Sequence, residues 1–319
     1  MTNRRDFIKN SSLLGLGAIA APNPFSFNFN NVNEAGIGLF SLPLLLEKDF
    51  RKSMEMLANM GYKKIEFYGP YSFSAEKQKQ NWANTAKMVG FSGSGFFGND
   101  AKQTKKILDQ NGLTSPSLHT DLDTLRDHMG PLAEAANTLG ASYVTLPGIP
   151  DEERKNLDAY KKIAADFNKI GENAKKHGVR FAYHNHGYGF SPMEGEIPTL
   201  MLFRQTDPSL VYLQMDLFWT VAGGADPIKL FSDFKGRYKL MHVKDMKSQA
   251  RFSGDGGNAQ QWIALWDEMT TVGDGVLDLK NILAAAKANG MEHFIIEQDI
   301  VKNPEIALKR SVDNFKKLV

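Results

Sequence analysis

Short β-rich runs alternate with longer amphipathic segments along this chain, from about residue 34 to its end. Runs of this length and composition, bounded by polar or glycine-containing segments, are typical of strands. They predict strands at residues 36–40, 64–68, 115–119, 142–146, 180–184, 211–216, 238–243 and 294–297. The chain therefore repeats one unit, a strand followed by a longer segment, eight times.

The longer segments carry apolar residues at helical spacing. One example is Phe50, Met54 and Leu57, ahead of Gly61, since glycine commonly ends helices. The segments predict helices at residues 47–60, 76–90, 99–111, 124–139, 151–177, 197–205, 226–234, 276–289 and 304–318. Residues 251–275 are polar and rich in glycine, and they predict a long loop with an inserted turn at 262–269.

Alternating strands and helices predict a parallel sheet covered by helices. Eight such units favour a closed (β/α)₈ barrel, the TIM barrel, which takes roughly 250 residues as a single domain. No Gly-x-Gly-x-x-Gly sequence follows the first predicted strand, which argues against an open, dinucleotide-binding sheet. The predicted fold is thus an α/β TIM barrel in one domain at residues 34–319.

The first 21 residues have the layout of an export signal. Arg4 and Arg5 precede Phe7 and Lys9, and a mildly apolar stretch follows that is too short to span a bilayer. This order resembles the twin-arginine export signal of bacteria. An amphipathic helix packed on the domain would also fit these residues. The sequence predicts a twin-arginine-type signal at 1–21, a linker at 22–33 and a periplasmic protein.

Composition narrows the classes of function. The formal net charge is +2, and it falls to zero when residues 1–21 are left out, so the chain has no electrostatic basis for binding nucleic acid or, once the signal is removed, a membrane. With 42% apolar and 23% charged residues the chain has the composition of a globular protein. It has no cysteine, so any metal must be held by nitrogen and oxygen atoms. The sequence does not decide whether the protein forms a homo-oligomer.

Polar residues stand at or near the ends of predicted strands, where a TIM barrel builds its active site. They are Glu66, His119, His184, Asp216, His242 and Glu297. A carboxylate at the end of an apolar strand costs several kcal/mol of desolvation unless a cation or hydrogen bonds compensate. Any one of these residues alone is equally explained as a hydrogen-bonded strand end.

Four of these residues end four consecutive predicted strands, so their side chains are expected to converge. They are His184, Asp216, His242 and Glu297. Mixed imidazole and carboxylate ligation suits Mn²⁺, Co²⁺, Zn²⁺, Ni²⁺ or Fe²⁺ better than Ca²⁺. The sequence therefore predicts a divalent metal ion as cofactor.

At these residues the chain resembles the sugar phosphate isomerase/epimerase family, the xylose isomerase-like TIM barrels. The resemblance runs from about residue 34 to the C-terminus. Its most specific motifs are Tyr183-His184-Asn185-His186, Gln214-Met215-Asp216, His242-Val243-Lys244-Asp245, Val272-Gly273-Asp274-Gly275-Val276 and Ile296-Glu297-Gln298-Asp299. The resemblance implies a small-molecule sugar as substrate and a divalent metal held by Glu, Asp, His and Glu at the ends of strands five to eight.

This chain matches the last three ligand positions and departs from the first, where His184 replaces glutamate. In the epimerases of the family, two glutamates exchange protons on opposite faces of the substrate, and here only Glu297 is present. We therefore expect Glu297 and His186 to handle protons and Lys244 to stabilise negative charge on oxygen. We expect substrate contacts from Glu66, His119 and Trp219.

A metal bound to a carbonyl and a neighbouring hydroxyl acidifies the α-proton, and a base then gives an enediolate. Reprotonation makes an isomerase or epimerase, the leading hypothesis, whereas loss of a leaving group makes a lyase or dehydratase acting on a keto-sugar or keto-glycoside. No phosphate-binding glycine loop is evident, so a non-phosphorylated sugar is expected. Two further hypotheses are a metal-dependent endonuclease and a catalytically inactive sugar-binding barrel.

Overall fold

The computed structural model describes residues 31–319, in which eight parallel strands close into a barrel and a small antiparallel pair lies beside it. The strands are β1 (Gly36–Gly38), β2 (Lys64–Tyr68), β3 (Ser117–His119), β4 (Tyr143–Leu146), β5 (Arg180–His184), β6 (Val211–Asp216), β7 (Tyr238–Val243), β8 (Asp245–Met246), β9 (Met269–Thr270) and β10 (His293–Ile296). Strands β1 to β7 pair in sequence, and β10 closes the barrel between β7 and β1. Strands β8 and β9 form the antiparallel pair.

Helices follow the barrel strands, and most of them cover the outside of the barrel. They are α1 (Pro43–Lys48), α2 (Phe50–Met60), α3 (Glu76–Val89), α4 (Ala101–Gln110), α5 (Leu122–Asp127), α6 (Met129–Leu139), α7 (Leu157–Lys176), α8 (Pro198–Gln205), α9 (Leu217–Ala222), α10 (Pro227–Asp233), α11 (Ala259–Ile263), α12 (Leu279–Ala288) and α13 (Pro304–Leu318). The predicted (β/α)₈ TIM barrel is therefore confirmed.

Several helix boundaries differ from those predicted. The helix predicted at 124–139 divides into α5 and α6, and α9 begins directly after β6, where no helix was predicted. The loop at 251–275 contains α11 and β9, so the turn predicted at 262–269 is instead the end of a short helix and a 3₁₀ turn that lead into a strand. These changes concern the connections and leave the order of the barrel strands as predicted.

The signal predicted at 1–21 and most of the linker predicted at 22–33 lie outside the described residues. Among the helices of residues 31–319, none is both long enough and apolar enough to cross a bilayer.

An apolar layer crosses the barrel interior below the polar residues at the carboxyl ends of the strands. It is formed by Tyr143, Ala182, Leu240 and Ile295. Two positions further along three of these strands stand His184, His242 and Glu297. Because side chains two residues apart on a strand share a face, these three also face the interior. The fold thus places the candidate chemistry at the end of the barrel where TIM barrels carry active sites.

Candidate active site

The structure brings the four predicted metal ligands together at the carboxyl ends of β5, β6, β7 and β10. Ligand atoms of Asp216, His242 and Glu297 lie within 4.8 Å of one another. His184 joins them through its Nε2 atom, which is 3.5 Å from Asp216 Oδ2. Gly38 on the neighbouring strand β1 leaves the room that Glu297 needs, because a Cβ at that position would collide with the carboxylate.

The donor atoms of this cluster fit a divalent cation. Asp216 Oδ2 and His242 Nδ1 are buried, and although charged groups of Lys244 and Glu297 lie close to them, neither atom makes a well-aligned hydrogen bond with the described residues. His242 Nδ1 is 2.7 Å from Glu297 Oε2, so one imidazole nitrogen and two carboxylate oxygens share a small volume. Buried polar atoms of this kind are normally paired, and a shared cation would satisfy them together. The residues present therefore suit a metal held by nitrogen and oxygen.

Lys244 supplies a positive charge between the same carboxylates. Its Nζ is 3.0 Å from both Asp216 Oδ2 and Glu297 Oε2. It donates a hydrogen bond of 2.7 Å to Asp299 Oδ1. Because Asp299 offers the ammonium a partner of its own, Lys244 can stay charged in the site when a metal takes the other two carboxylates. Asp299 was given no role in the predicted site, although it lies two residues after Glu297 in the same motif.

Gln214 orients the imidazoles behind the cluster. Its Oε1 accepts hydrogen bonds from His184 Nδ1 at 3.0 Å and from His119 Nε2 at 2.6 Å. Its Nε2 donates to Glu66 Oε1 at 2.9 Å. An acceptor at Nδ1 of His184 places the proton there and leaves the Nε2 lone pair facing Asp216, as a metal ligand requires. Gln214 was missed in the predicted site, but its place two residues before Asp216 on one strand was a usable signal.

Glu66 lies deeper than predicted. Its Oε2 is 3.1 Å from His119 Nε2 and also pairs with His242 Nε2. Burial would raise the pKa of Glu66, but the two imidazoles outweigh this effect and hold the pKa well below its ordinary value. The carboxylate is thus ionised and orients His242, whose other nitrogen faces the cluster, an arrangement common behind metal-bound histidines.

The two imidazoles of the cluster have opposite electrostatic environments. Burial lowers the pKa of His184 to about 4, so this side chain is neutral at pH 7. Burial acts the same way on His242, but Glu297 and Glu66 outweigh it and raise its pKa to about 10. A ligating imidazole must give up this proton, so a metal that binds His242 displaces a proton from it.

A cavity of about 330 Å³ opens above the cluster. Titratable side chains from the strand ends and the segments that follow them line it, among them His119, His184, His186, Lys244, Glu297 and Asp299. Of the residues predicted to handle protons or bind substrate, Glu297, His186, Lys244 and His119 therefore line the cavity.

Glu66 and Trp219 do not line it. Trp219 is 3% exposed and stacks on Phe252, with ring centroids 5.5 Å apart. Its ring also lies 5.7 Å from Lys244 Nζ. Both residues therefore stand behind side chains that line the cavity, and their predicted substrate contacts stay predictions.

Two of the sequence motifs have a structural role. Asp245 accepts hydrogen bonds from the backbone N–H groups of Gly273 and Gly275, both at 3.0 Å, and from Leu277 at 3.3 Å. The carboxylate thereby fastens the loop at residues 272–277 beside the end of β7. Because Lys244 precedes Asp245 directly, this attachment also fixes the backbone that carries Lys244.

Comparison with known proteins identifies relatives that are similar in sequence. An inosose dehydratase of Lacticaseibacillus casei is 33% identical over 158 residues, which are 48% of this chain and 52% of that protein. The chain thus spans about half the length of this relative.

Solved structures share the fold. A sugar phosphate isomerase/epimerase from Parabacteroides distasonis superposes with a TM-score of 0.69 at 22% identity, covering 90% of this chain and 94% of the other. The IOLI protein, solved with a bound zinc atom, has a TM-score of 0.61 at 16% identity and covers 89% and 96%. The sequence profile described as "Xylose isomerase-like TIM barrel" matches residues 54–318. The protein belongs to the xylose isomerase-like TIM barrel family.

Proposed function

We propose that the protein is a metal-dependent lyase of the dehydratase type, acting on a non-phosphorylated keto-sugar or keto-polyol. It removes a proton from the carbon next to the carbonyl and expels an oxygen leaving group from the adjacent carbon. Support comes from the relatives named inosose dehydratase and from the different situations of Glu297 and His186.

Glu297 is held by its neighbours. Burial would raise the pKa of its carboxyl group, but His242 and Lys244 outweigh this effect and hold the pKa well below its ordinary value. The carboxylate is therefore ionised and engaged by two cationic partners. It suits the role of a ligand better than that of a proton carrier.

His186 is the residue on which the proposed elimination depends. It lines the cavity, and within residues 31–319 no hydrogen bond engages its ring nitrogens. Its ring packs against His184 at 4.7 Å and Trp262 at 5.4 Å, measured between centroids. Burial lowers its pKa well below the ordinary value, so the ring is neutral at pH 7 and its imidazolium is a strong acid. The site thus offers one free proton carrier.

One carrier is enough for elimination. His186 accepts the α-proton, and the electrons of the broken C–H bond pass to the carbonyl oxygen, which gives an enolate. The enolate then re-forms its C=O bond, and the electron pair released makes the new C=C bond to the adjacent carbon as the C–O bond to the leaving group breaks. The imidazolium then returns its proton to the departing oxygen, which leaves as water or an alcohol. Lys244 stabilises the negative charge that develops on the carbonyl oxygen. A divalent cation, when bound, supplies Lewis acidity that makes the α-proton removable by a weak base.

The second candidate is an isomerase or epimerase acting through the same enolate chemistry. It is supported by the presence in one cavity of Glu297 and His186, which follow different strands and are two groups able to exchange protons. It requires Glu297 to leave its partners His242 and Lys244 during each turnover. We therefore place it second.

The two candidates differ in the fate of the substrate. Purified protein with added Mn²⁺ is incubated in D₂O with inosose and with 3-keto-glucose, and products are identified by mass spectrometry. A lyase yields a product lighter by the mass of water, whereas an isomerase or epimerase yields unchanged mass apart from incorporated deuterium.

The variant His186→Asn should lower elimination by about 10²- to 10⁴-fold, the usual contribution of a general acid–base group. His177→Asn is the control, because His177 is an exposed histidine at the end of α7. Deuterium at the α-carbon without loss of a leaving group would instead support the second candidate. Activity of His186→Asn equal to that of the control would refute the role of His186.

A further inference from the structure

Helix α3 does not cover the barrel as its neighbours do. None of the side chains of Glu76–Val89 is buried, although the helix is 14 residues long. The next helix, α4, follows the same strand and buries Thr104, Ile107 and Leu108. Helix α4 therefore fills the covering position after β2, and α3 is an additional element at the carboxyl end of the barrel, where TIM barrels place specificity loops.

One face of α3 lines the cavity above the candidate active site. Gln78, Asn81, Trp82 and Thr85 line that cavity together with His119, His186 and Glu297. The four helix residues are spaced by three, one and three positions, which puts them on a single face. Two amides, one hydroxyl and one indole make this face polar and aromatic instead of apolar.

The indole of Trp82 is held in place. Its Nε1 donates a hydrogen bond of 2.7 Å to the carbonyl oxygen of Ser92. Its ring lies 5.9 Å from that of Tyr68 and 5.8 Å from that of Phe91. Phe40 extends the group, 5.2 Å from Tyr68. The result is an aromatic wall in which the ring of Trp82 is fixed before any ligand arrives.

The helix is attached to the barrel at its first turn. The backbone N–H of Ala75 donates to Thr124 Oγ1 at 3.1 Å, and Gln78 Nε2 donates to Asp123 Oδ2 at 2.8 Å. Asn81 is exposed, and Thr85 is partly exposed. These two side chains, one turn apart and next to Trp82, are accessible to a ligand.

We propose that α3 and the aromatic wall form a second carbohydrate subsite, so that the substrate is a glycoside with a second ring. The inference rests on the proposed function for the reacting end of the cavity. An aromatic ring offers the apolar C–H face of a sugar a large contact area, and neighbouring amides and hydroxyls bind its hydroxyl groups. The His, Lys and Glu side chains at the other end of the cavity bind the ring that reacts.

The subsite is tested by binding, without turnover. Isothermal titration compares glucose and galactose with cellobiose, lactose, maltose and phenyl β-glucoside on the metal-loaded protein. We expect at least one two-ring ligand to bind about tenfold or more tightly than its parent monosaccharide, an ordinary gain for a well-placed aromatic contact. In Trp82→Ala, the affinities for the two-ring ligand and for its parent monosaccharide should lie within about threefold of each other. Trp82→Phe should keep part of the difference between these affinities.

Asn84→Ala is the matched control, because Asn84 is exposed on α3 and does not line the cavity. It should keep the preference of the unmodified protein. Circular dichroism establishes that each variant is folded. The inference is overturned if no two-ring ligand binds more tightly than its parent sugar, or if Trp82→Ala weakens both kinds of ligand equally. Because these sugars carry no reactive ketone, the result is independent of whether the enzyme proves to be a lyase.

Discussion

Replacement of Gln214 by methionine tests how much the candidate site depends on one buried amide. The two side chains have similar length and volume, so packing changes little. The variant removes the acceptor of His119 and His184 and the donor to Glu66. All three partners are buried, so water cannot easily replace the lost hydrogen bonds.

The magnitude follows from the three partners. A buried polar group left without a partner costs about 1–3 kcal/mol, and relaxation of the site places the sum toward the lower end. We expect Gln214→Met to lower the free energy of unfolding by about 3 kcal/mol. Removal of such an orienting partner also weakens metal binding about 10- to 100-fold, since the Nδ1 proton of His184 is no longer fixed.

Urea unfolding followed by circular dichroism in the presence of EDTA measures the first quantity, and Mn²⁺ titration calorimetry measures the second. Gln214→Glu should lie between the two proteins, because it keeps the oxygen that accepts from both imidazoles but replaces the donor to Glu66 by a like charge. Gln260→Met is the control on an exposed residue of α11. A loss below about 1 kcal/mol with metal affinity within twofold of the unmodified protein would refute this reasoning.

Three further predictions concern single charged or titratable side chains. Burial lowers the pKa of His293 to about 3, whereas the same imidazole in the unfolded chain has a pKa of about 6.5. The free energy of unfolding therefore falls as the pH drops below about 6.5. In urea unfolding, His293→Gln should lose about 2 kcal/mol less than the unmodified protein between pH 8 and pH 5. Asp245→Ala should expose residues 272–277 to limited proteolysis, seen by mass spectrometry, whereas Asp267→Ala should not. Lys244→Met should raise the Mn²⁺ affinity measured by calorimetry about tenfold, because the ammonium no longer competes with the cation for the carboxylates. The same variant should abolish turnover. An unchanged Mn²⁺ affinity would contradict this competition.

The strand pattern predicted most of the fold. Strands β2, β5, β6 and β7 have the predicted bounds. The helix breaks were harder to see. Asp49 caps α2 by accepting a hydrogen bond from the backbone of Lys52 at 3.0 Å, and the predicted helix at 47–60 therefore begins anew at Phe50. A break of a single residue hardly disturbs helical periodicity, so the pattern alone does not reveal it.

The depth of side chains in the barrel was beyond the sequence. Glu66 and His242 were both predicted to face inward. The sequence does not show that the carboxylate of Glu66 lies below His242 in the barrel and pairs with its imidazole. The barrel closes by a stagger between strands, and this stagger sets which inward residues share a level. Gln214 illustrates the same limit, because the register between β6 and β7 shifts at this residue.

The place of α3 was also hidden. The segment at 76–90 was predicted as a helix, and the structure has α3 at Glu76–Val89. A polar helix facing solvent and a polar helix facing a cavity have the same composition, so nothing in the pattern connects Trp82 with the candidate active site. That connection depends on the hydrogen bonds between the start of this helix and the segment after β3, and on the contact of Trp82 with Tyr68 at the end of β2.

One divalent cation at the barrel mouth, held by Asp216 and its neighbours, is the feature on which the proposed chemistry depends. Metal content of the purified protein, after loading with Mn²⁺ and desalting, tests it most directly when measured beside Asp216→Asn and Asp267→Asn. Asparagine keeps the oxygen that caps α9 through the N–H of Trp219 and removes the charge, whereas Asp267 is an exposed carboxylate of the surface. We predict one bound metal per chain in the unmodified protein and in Asp267→Asn, and almost none in Asp216→Asn. Equal metal content in all three proteins, or none in any, would contradict the proposed site.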